Sequence, residues 1–280
     1  NMLKESGQFP AQDIPNDAEQ LTMRDLTVGY DRIPLIKNIN LGVRPGEILT
    51  LIGPNGSGKS TILKTITKQL KTIGGSVFLG KESMRELTDS EISRHLSMVM
   101  TERIHTELLS GRDVVATGRY PYTGRLGILS QQDWKKVDEA IALVHAGEVQ
   151  QQDFRRISDG QRQRLMLARA ICQDTQVLIL DEPTSYLDMG FKLDILTTIR
   201  MLARKKNLAV IMSLHELDLA QKISDTIACV KGAVLTGSGH RRKFFPGTTC
   251  SSCTASSPGS LIRRPDRHFW KDRKGNRRYL

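Results

Sequence analysis

Two short stretches of the chain carry residue types that could do chemistry on a polyanion. The first is GPNGSGKS, from Gly53 to Ser60, with Thr61 directly after it. It matches the pattern GxxxxGK[ST], follows the apolar run EILTLI, and precedes apolar residues at helical spacing. Gly53, Gly56 and Gly58 permit backbone angles and close approaches that a Cβ would block. Pro54, Asn55 and Ser57 complete a loop whose amides, with the N-terminus of the next helix, would point at phosphate oxygens. Lys59 would bring a mobile positive charge to the β- and γ-phosphates, and the Ser60 hydroxyl suits Mg²⁺. The plain alternative is an ordinary glycine turn before a helix. The strand–loop–helix context favours a nucleoside triphosphate site.

The second stretch is Asp181-Glu182, which follows the apolar run QVLIL. A carboxylate at a strand end in an open parallel sheet faces the crevice where ligands bind. Asp181 could hold Mg²⁺, and Glu182 could polarise an attacking water as a general base. Alone, such a pair is usually a solvated turn. In a chain that already has a phosphate loop, it reads as the other half of a hydrolytic site.

These residues need elements to position them. Residues 21 to 43 show apolar positions at strand-like intervals, with turn signals at Asp31 and Pro34. Strands are expected at 47–52, 76–79, 176–181 and 209–213, and a final hairpin at 226–230 and 233–235. Helical spacing is expected from the loop to about Leu70, over 191–205 and over 216–223. Residues 91 to 169, which include QQDWKKVDEAIALVHA, read as a mostly helical insert. Strands alternating with helices imply an α/β fold with a parallel sheet core.

On five features in one order, Tyr30, the phosphate loop, ISDGQ, LDEPTSYLD and His215, residues 21 to 239 resemble the ATP-binding cassette (ABC) family, the motor subunits of ABC transporters. ISDGQ followed by RQRLMLARA resembles the family's LSGGQ signature, LDEPTSYLD its Walker B motif and D-loop, and His215 in MSLHE its switch histidine. The resemblance implies a P-loop NTPase core like that of RecA, an N-terminal antiparallel β subdomain and a helical subdomain at about 91–169. It makes ATP and Mg²⁺ the cofactors. It implies that Tyr30 stacks on adenine and that Glu182 and His215 are catalytic. It also implies that Ser60, Asp181 and a glutamine-like position, here Thr101 beside Glu102, serve the metal. Ser158, Gly160 and Gln161 open a helix and form a second anion site. One phosphate loop per chain leaves that site without a nucleotide of its own. The family's solution is a head-to-tail homodimer in which one subunit's Gly53–Ser60 and the other's Ser158–Gln161 sandwich each ATP, with Asp188 in the D-loop.

Two residues depart from the family pattern. Thr101 is shorter than glutamine, and Asp159 replaces a signature glycine, so its charge needs a cation such as Arg162 or Arg164. GRYPYTGRLGILSQQD, from Gly118 to Asp133, looks like the importers of ferric siderophores, haem and vitamin B12, as does the tyrosine of TSYLD. That implies a separate integral-membrane permease dimer docked around residues 101–122, a substrate-binding protein acting indirectly, and a peripheral place on the cytoplasmic face of a bacterial plasma membrane. Two rival readings stand beside it. One is a soluble ABC ATPase in DNA repair or translation, which would commonly carry a coiled-coil insert or a second cassette. The other is a nucleotide-binding regulator without hydrolysis, against which Glu182 and His215 speak.

Composition sets bounds on all of this. The 280 residues are 39% hydrophobic and 25% charged, ample for a packed core. No apolar run nears the roughly 18 residues of a membrane helix, and residues 1–20 are polar with no signal-like apolar stretch. Four cysteines, two of them in apolar segments, suggest a reducing compartment, and the lone CxxC of Cys250 and Cys253 is a poor zinc site. The net charge is +11, but residues 240–280 hold 11 lysines and arginines against 2 acids. The rest is near neutral, so no nucleic-acid partner is expected. In the tail, Pro, Gly, Ser and Thr fill 12 of the 15 positions from 246 to 260. Related importers usually continue there with a helical segment, which this tail does not match. It reads as a lipid- or RNA-binding extension, a disordered appendage or a slipped reading frame. Removal of residues 241–280 is expected to leave ATP turnover close to that of the full chain. A large loss in a phosphate-release assay would show instead that the tail is structural.

Overall fold

The computed structural model describes residues 19–100, 109–124, 126–231, 234–240, 269–271 and 277–279. The chain begins with strands β1 (Leu21–Tyr30), β2 (Ile33–Val43) and β3 (Ile48–Ile52), then helix α1 (Lys59–Ile66). Strands β4 (Gly74–Leu79) and β5 (Glu82–Ser83), helix α2 (Asp89–His95) and strand β6 (Leu96–Val99) follow. Three helices come next, α3 (Gly111–Ala116), α4 (Gln131–Leu143) and α5 (Asp159–Cys172), with a 3₁₀ turn at Thr117–Tyr122. The order closes with β7 (Val177–Leu180), α6 (Met189–Lys206), β8 (Ala209–Leu214), α7 (Leu217–Ile223), β9 (Thr226–Lys231) and β10 (Val234–His240). A separate pair, β11 (Phe269–Lys271) and β12 (Arg277–Tyr279), is antiparallel.

The central sheet has the order β10-β9-β3-β8-β7-β6, parallel except for β10. Every residue of β3, β7 and β8 is buried. Both faces of these strands are covered, which is why they read as continuous apolar runs rather than alternating ones. Alternation decides which layer each side chain meets. Ile48, Ile52, Leu178, Leu180, Val210 and Met212 join the helical residues of α3–α6 in one core cluster. Leu49, Leu51, Val177, Ile179 and Ile211 join α1 and the antiparallel sheet in the other. That second sheet, β2-β1-β4-β5, is the expected N-terminal β layer.

Some expectations need correction. Pro34 was expected in a turn but lies within β2, opposite Gly29. The turn is Asp31-Arg32 alone, both at left-handed φ, as a two-residue hairpin needs. Pro34 is tolerated because β2 is an edge strand. The stretch read as helical from about residue 91 contains β6, whose four residues LSMV are too few to show a period. Only pairing with β7 makes it a strand. Helix α1 stops at Ile66, short of Leu70, where Lys68 turns to positive φ. Thr101 and Glu102 lie outside the described residues.

The GRYPY…LSQQD stretch has a structural explanation. Arg119 is buried, and its Nε donates to Asp133 Oδ1 at 2.8 Å. Its Nη1 donates to the Cys172 carbonyl at 2.9 Å, and its guanidinium stacks 4.0 Å from the Tyr122 ring centroid. Asp133 also closes the capping box of α4 with Ser130. One buried arginine thus ties the 3₁₀ turn to the start of α4 and the end of α5. Burial raises the Cys172 thiol to about 11, so that cysteine stays protonated.

The Ser130 hydroxyl, then the Ser130 amide and Arg119, hold the Asp133 carboxyl at about 2 against burial, which acts the other way; its ordinary value is 3.8. A depressed carboxyl stabilises the fold above its unfolded pKa and loses that contribution as pH falls through its folded pKa. Asp133→Asn should therefore destabilise the chain at neutral pH by about 3–5 kcal/mol, because Arg119 is left buried without its anion. The gap to wild type should narrow between about pH 4 and pH 2 in denaturant melts. A gap that stays constant down to pH 2 would contradict this reading.

Candidate active site

The phosphate loop begins where β3 ends and is held by its neighbours. A Cβ at Gly53 would sit 2.1 Å from the Val230 carbonyl oxygen on the adjacent strand β9. At Gly58 it would meet Ile36 Cδ1 of β2 at 2.7 Å. Gly56 corrects part of the expectation for the three glycines. No described atom lies within 4 Å of where its Cβ would stand, so no close approach requires glycine there. What requires it is the backbone alone, which turns through φ +75 at the open tip of the loop.

The rest of the loop offers groups for an anion. No side chain caps α1, and its first turn holds no acidic residue. Its leading amides are thus of the kind that accept an anion. Ser57 Oγ is buried without a hydrogen-bond partner among the described residues. Lys59 is buried, and its Nζ donates to the Gly53 and Pro54 carbonyls at 2.9 and 3.1 Å. Burial lowers its pKa, while Glu182 and then Asp181 oppose the shift. Tyr30 stands at the tip of the β1–β2 hairpin, half exposed, with its hydroxyl 3.1 Å from Thr61 Oγ1. An orphaned hydroxyl, an uncapped helix start and a buried ammonium make a cradle that fits phosphate.

Across the sheet edge stand the acids. Asp181 is buried, and its main-chain amide donates to the Val99 carbonyl at 2.8 Å. Glu182 adopts φ +49, a left-handed conformation that costs about 1–2 kcal/mol for a residue with a side chain. Three contacts hold it there. Its amide donates to Ser213 Oγ at 2.9 Å, and its Oε2 accepts from Ser185 Oγ at 3.0 Å. Its Oε1 lies 2.6 Å from His215 Nε2. Sequence reasoning found Asp181, Glu182 and His215 but missed Ser185 and Ser213. The available signal for Ser213 was its position as the lone hydroxyl in the apolar run AVIMSL.

The residues expected to form a second anion site fall at the start of α5. Ser158 caps this helix, accepting from the Gln161 amide at 3.2 Å, while Gln161 Oε1 accepts from the Ser158 amide at 3.0 Å. Asp159 is paired with Arg162, the first of the two expected cations. The second, Arg164, reaches Asp194 on α6 instead. Gly160 lies against the Phe191 ring. Asp188 caps α6 by accepting from the Phe191 amide at 3.0 Å. Lys192, one residue further, is ion-paired with Glu216 beside His215. The first turns of α6 therefore touch both the start of α5 and the loop that carries His215.

Comparison with known proteins agrees with this geometry. Residues 36–185 match the family model described as ABC transporter. The chain is 41% identical over 220 residues to an uncharacterized ABC transporter ATP-binding protein of Methanocaldococcus jannaschii, covering 79% of this chain and 76% of that one. The chain belongs to the ABC transporter family. The cassette is also similar, at 32% identity, to the iron(3+)-hydroxamate import ATP-binding protein FhuC of Bacillus subtilis, over 77% of this chain and 80% of the other. Its fold is that of a dimeric ATP-binding cassette solved in a post-hydrolysis state with ADP and Pi, with a TM-score of 0.70 and 24% identity over 80% of this chain and all of that one. The cassette is an ATP-binding, ATP-hydrolysing protein of this family.

The crowding at Gly53 makes a prediction that needs no ligand. Gly53→Ala is expected to lower the unfolding free energy of the nucleotide-free cassette by about 1–3 kcal/mol, because strand β9 blocks the added methyl. An unchanged melting curve would mean that the loop gives way instead.

Proposed function

We propose that the cassette is the energy-coupling subunit of an importer for an iron chelate or a related metal-bearing cofactor. MgATP would close two copies over a shared pair of nucleotides, and hydrolysis would release them. The observation that carries the reading is the convergence of the phosphate loop, Asp181 and the Glu182–His215 pair at the carboxyl end of one parallel sheet.

The roles follow from charge and reach. Loop amides, Lys59 and the Ser57 hydroxyl bind the phosphates, and Tyr30 carries the adenine ring. Ser60 and Asp181 offer hard oxygen donors for Mg²⁺, which keeps several waters and usually takes one or two carboxylates beside substrate phosphates. Bound there, the ion would neutralise charge on the β- and γ-phosphates. Glu182 accepts the proton of the attacking water, and His215, 2.6 Å from it, orients that carboxylate and the γ-phosphate. Ser158, Gly160 and Gln161 serve the nucleotide held by the partner copy, and Asp188 sits at the same interface. With one phosphate loop per chain, that is the arrangement in which the second anion site finds a ligand. A cassette of the same fold is dimeric with ADP and Pi, which supports the pairing.

The cargo and its route come from relatives. FhuC is named for iron(3+)-hydroxamate import. No helix among the described residues is long and apolar enough to cross a membrane. The reading assigns passage through the bilayer to a membrane permease. In a bacterium the cassette would sit on the cytoplasmic face of the plasma membrane, and a substrate-binding protein would deliver cargo to the far side. Exposed Tyr120, Leu126 and Ile128 lie near the expected docking region.

Glu182→Gln should stop phosphate release while leaving ATP binding intact, so saturating MgATP should trap a stable dimer on size-exclusion chromatography. A variant that remains monomeric under those conditions would overturn the sandwich.

A further inference from the structure

We propose that Ser213 is a positioning residue for hydrolysis, one that locks the metal-side carboxylate of Asp181 and the main chain of Glu182 into a single unit. The inference rests on the roles given above to Asp181 and Glu182.

The geometry starts from strand register. Leu180 of β7 is paired with Met212 of β8, so Asp181, the first residue beyond β7, comes to stand beside Ser213, which is still within β8 and paired with Leu51 of β3. Ser213 is fully buried. Its hydroxyl donates to Asp181 Oδ1 at 2.7 Å and accepts from the Glu182 amide at 2.9 Å. A hydroxyl has one proton to give, and here it goes to the carboxylate. The accepted amide polarises that same O–H and strengthens the bond it donates.

Two consequences follow. The donated bond fixes the Asp181 carboxylate rotamer, so the carboxylate meets an incoming cation already oriented. The accepted bond satisfies an amide that Glu182 turns inward by adopting φ +49. That left-handed turn sends the Glu182 side chain toward His215 and Ser185. Ser213 also sits two residues before His215 on the same strand end, so one short segment sets the acid, the base and the switch histidine. Alanine would remove both bonds at once. Threonine keeps the hydroxyl, and valine keeps threonine's shape without it.

The test compares Ser213→Ala, Ser213→Thr and Ser213→Val in the full chain, with Glu182→Gln as control. Four readouts are needed: kcat, KM for ATP, the Mg²⁺ concentration for half-maximal rate, and binding of ATP without metal. Ser213→Ala is expected to lower kcat about 10- to 100-fold, the range for losing one hydrogen bond to a charged group. It should also raise the Mg²⁺ requirement while leaving metal-free ATP binding within about twofold, since the phosphate loop is untouched. Threonine should restore turnover and valine should not. If alanine retains wild-type kcat and Mg²⁺ dependence while Glu182→Gln is dead, Ser213 has no such role and the wider reading stands. If alanine loses metal-free ATP binding as well, the effect is general collapse and the proposal fails. If Glu182→Gln itself turns over normally, the wider reading fails and takes this one with it.

Discussion

The structure depends on the register of three parallel strands. β3, β8 and β7 lie adjacent, with Ile52 opposite Leu214 and Leu180 opposite Met212. Parallel pairing makes all three chains leave the sheet at one edge, and a ligand crevice forms where they do. The loop at Gly53, the acids at 181 and 182, and Ser213 with His215 are the first residues beyond or at those strand ends. A slip of one residue in any pair would turn each side chain to the opposite face and scatter the group. The apolar interior of β3, β7 and β8 prevents the slip, because both faces are packed.

At that edge opposite charges are held close but not merged. Lys59 is buried against loop carbonyls, within electrostatic reach of Glu182 and Asp181. Glu182 is engaged by Ser185 and His215. These groups are oriented by hydrogen bonds within the chain itself, and such preorganisation is how a site stabilises charge as it develops. The start of α6 extends the arrangement outward. Phe191 lies on Gly160, Arg164 pairs with Asp194, and Lys192 pairs with Glu216. The start of α5 and the loop that carries His215 thus share one helix as a neighbour.

Much of this was legible in the sequence. The phosphate loop, the acid pair and the buried strands announce themselves because their physics is local: a glycine pattern, a run of apolar residues, a carboxylate at its end. The Asp159 problem was also legible, with Arg162 as one of its two candidate cations. What escaped was fixed by distant partners. β6 is a strand only through its pairing with β7, and Pro34 is allowed in β2 only because that strand is an edge. The pattern of glycines does not say which are crowded; Gly53 is pressed by β9, whereas Gly56 stands in the open. Ser213 looks like any strand serine until β7 is laid beside it. Arg119 reads as part of a family stretch, and only the fold reveals that it ties the 3₁₀ turn to α4 and α5. Long-range pairing carries no short-range signature, so these features waited for coordinates.

The central claim is that a working site needs two copies of the chain. The direct measurement is the rate of phosphate release from MgATP per mole of cassette, taken over a wide range of protein concentration. The account predicts that this specific activity climbs with concentration and levels off once dimers dominate. A specific activity that stays flat down to concentrations where sedimentation finds only single copies would contradict it.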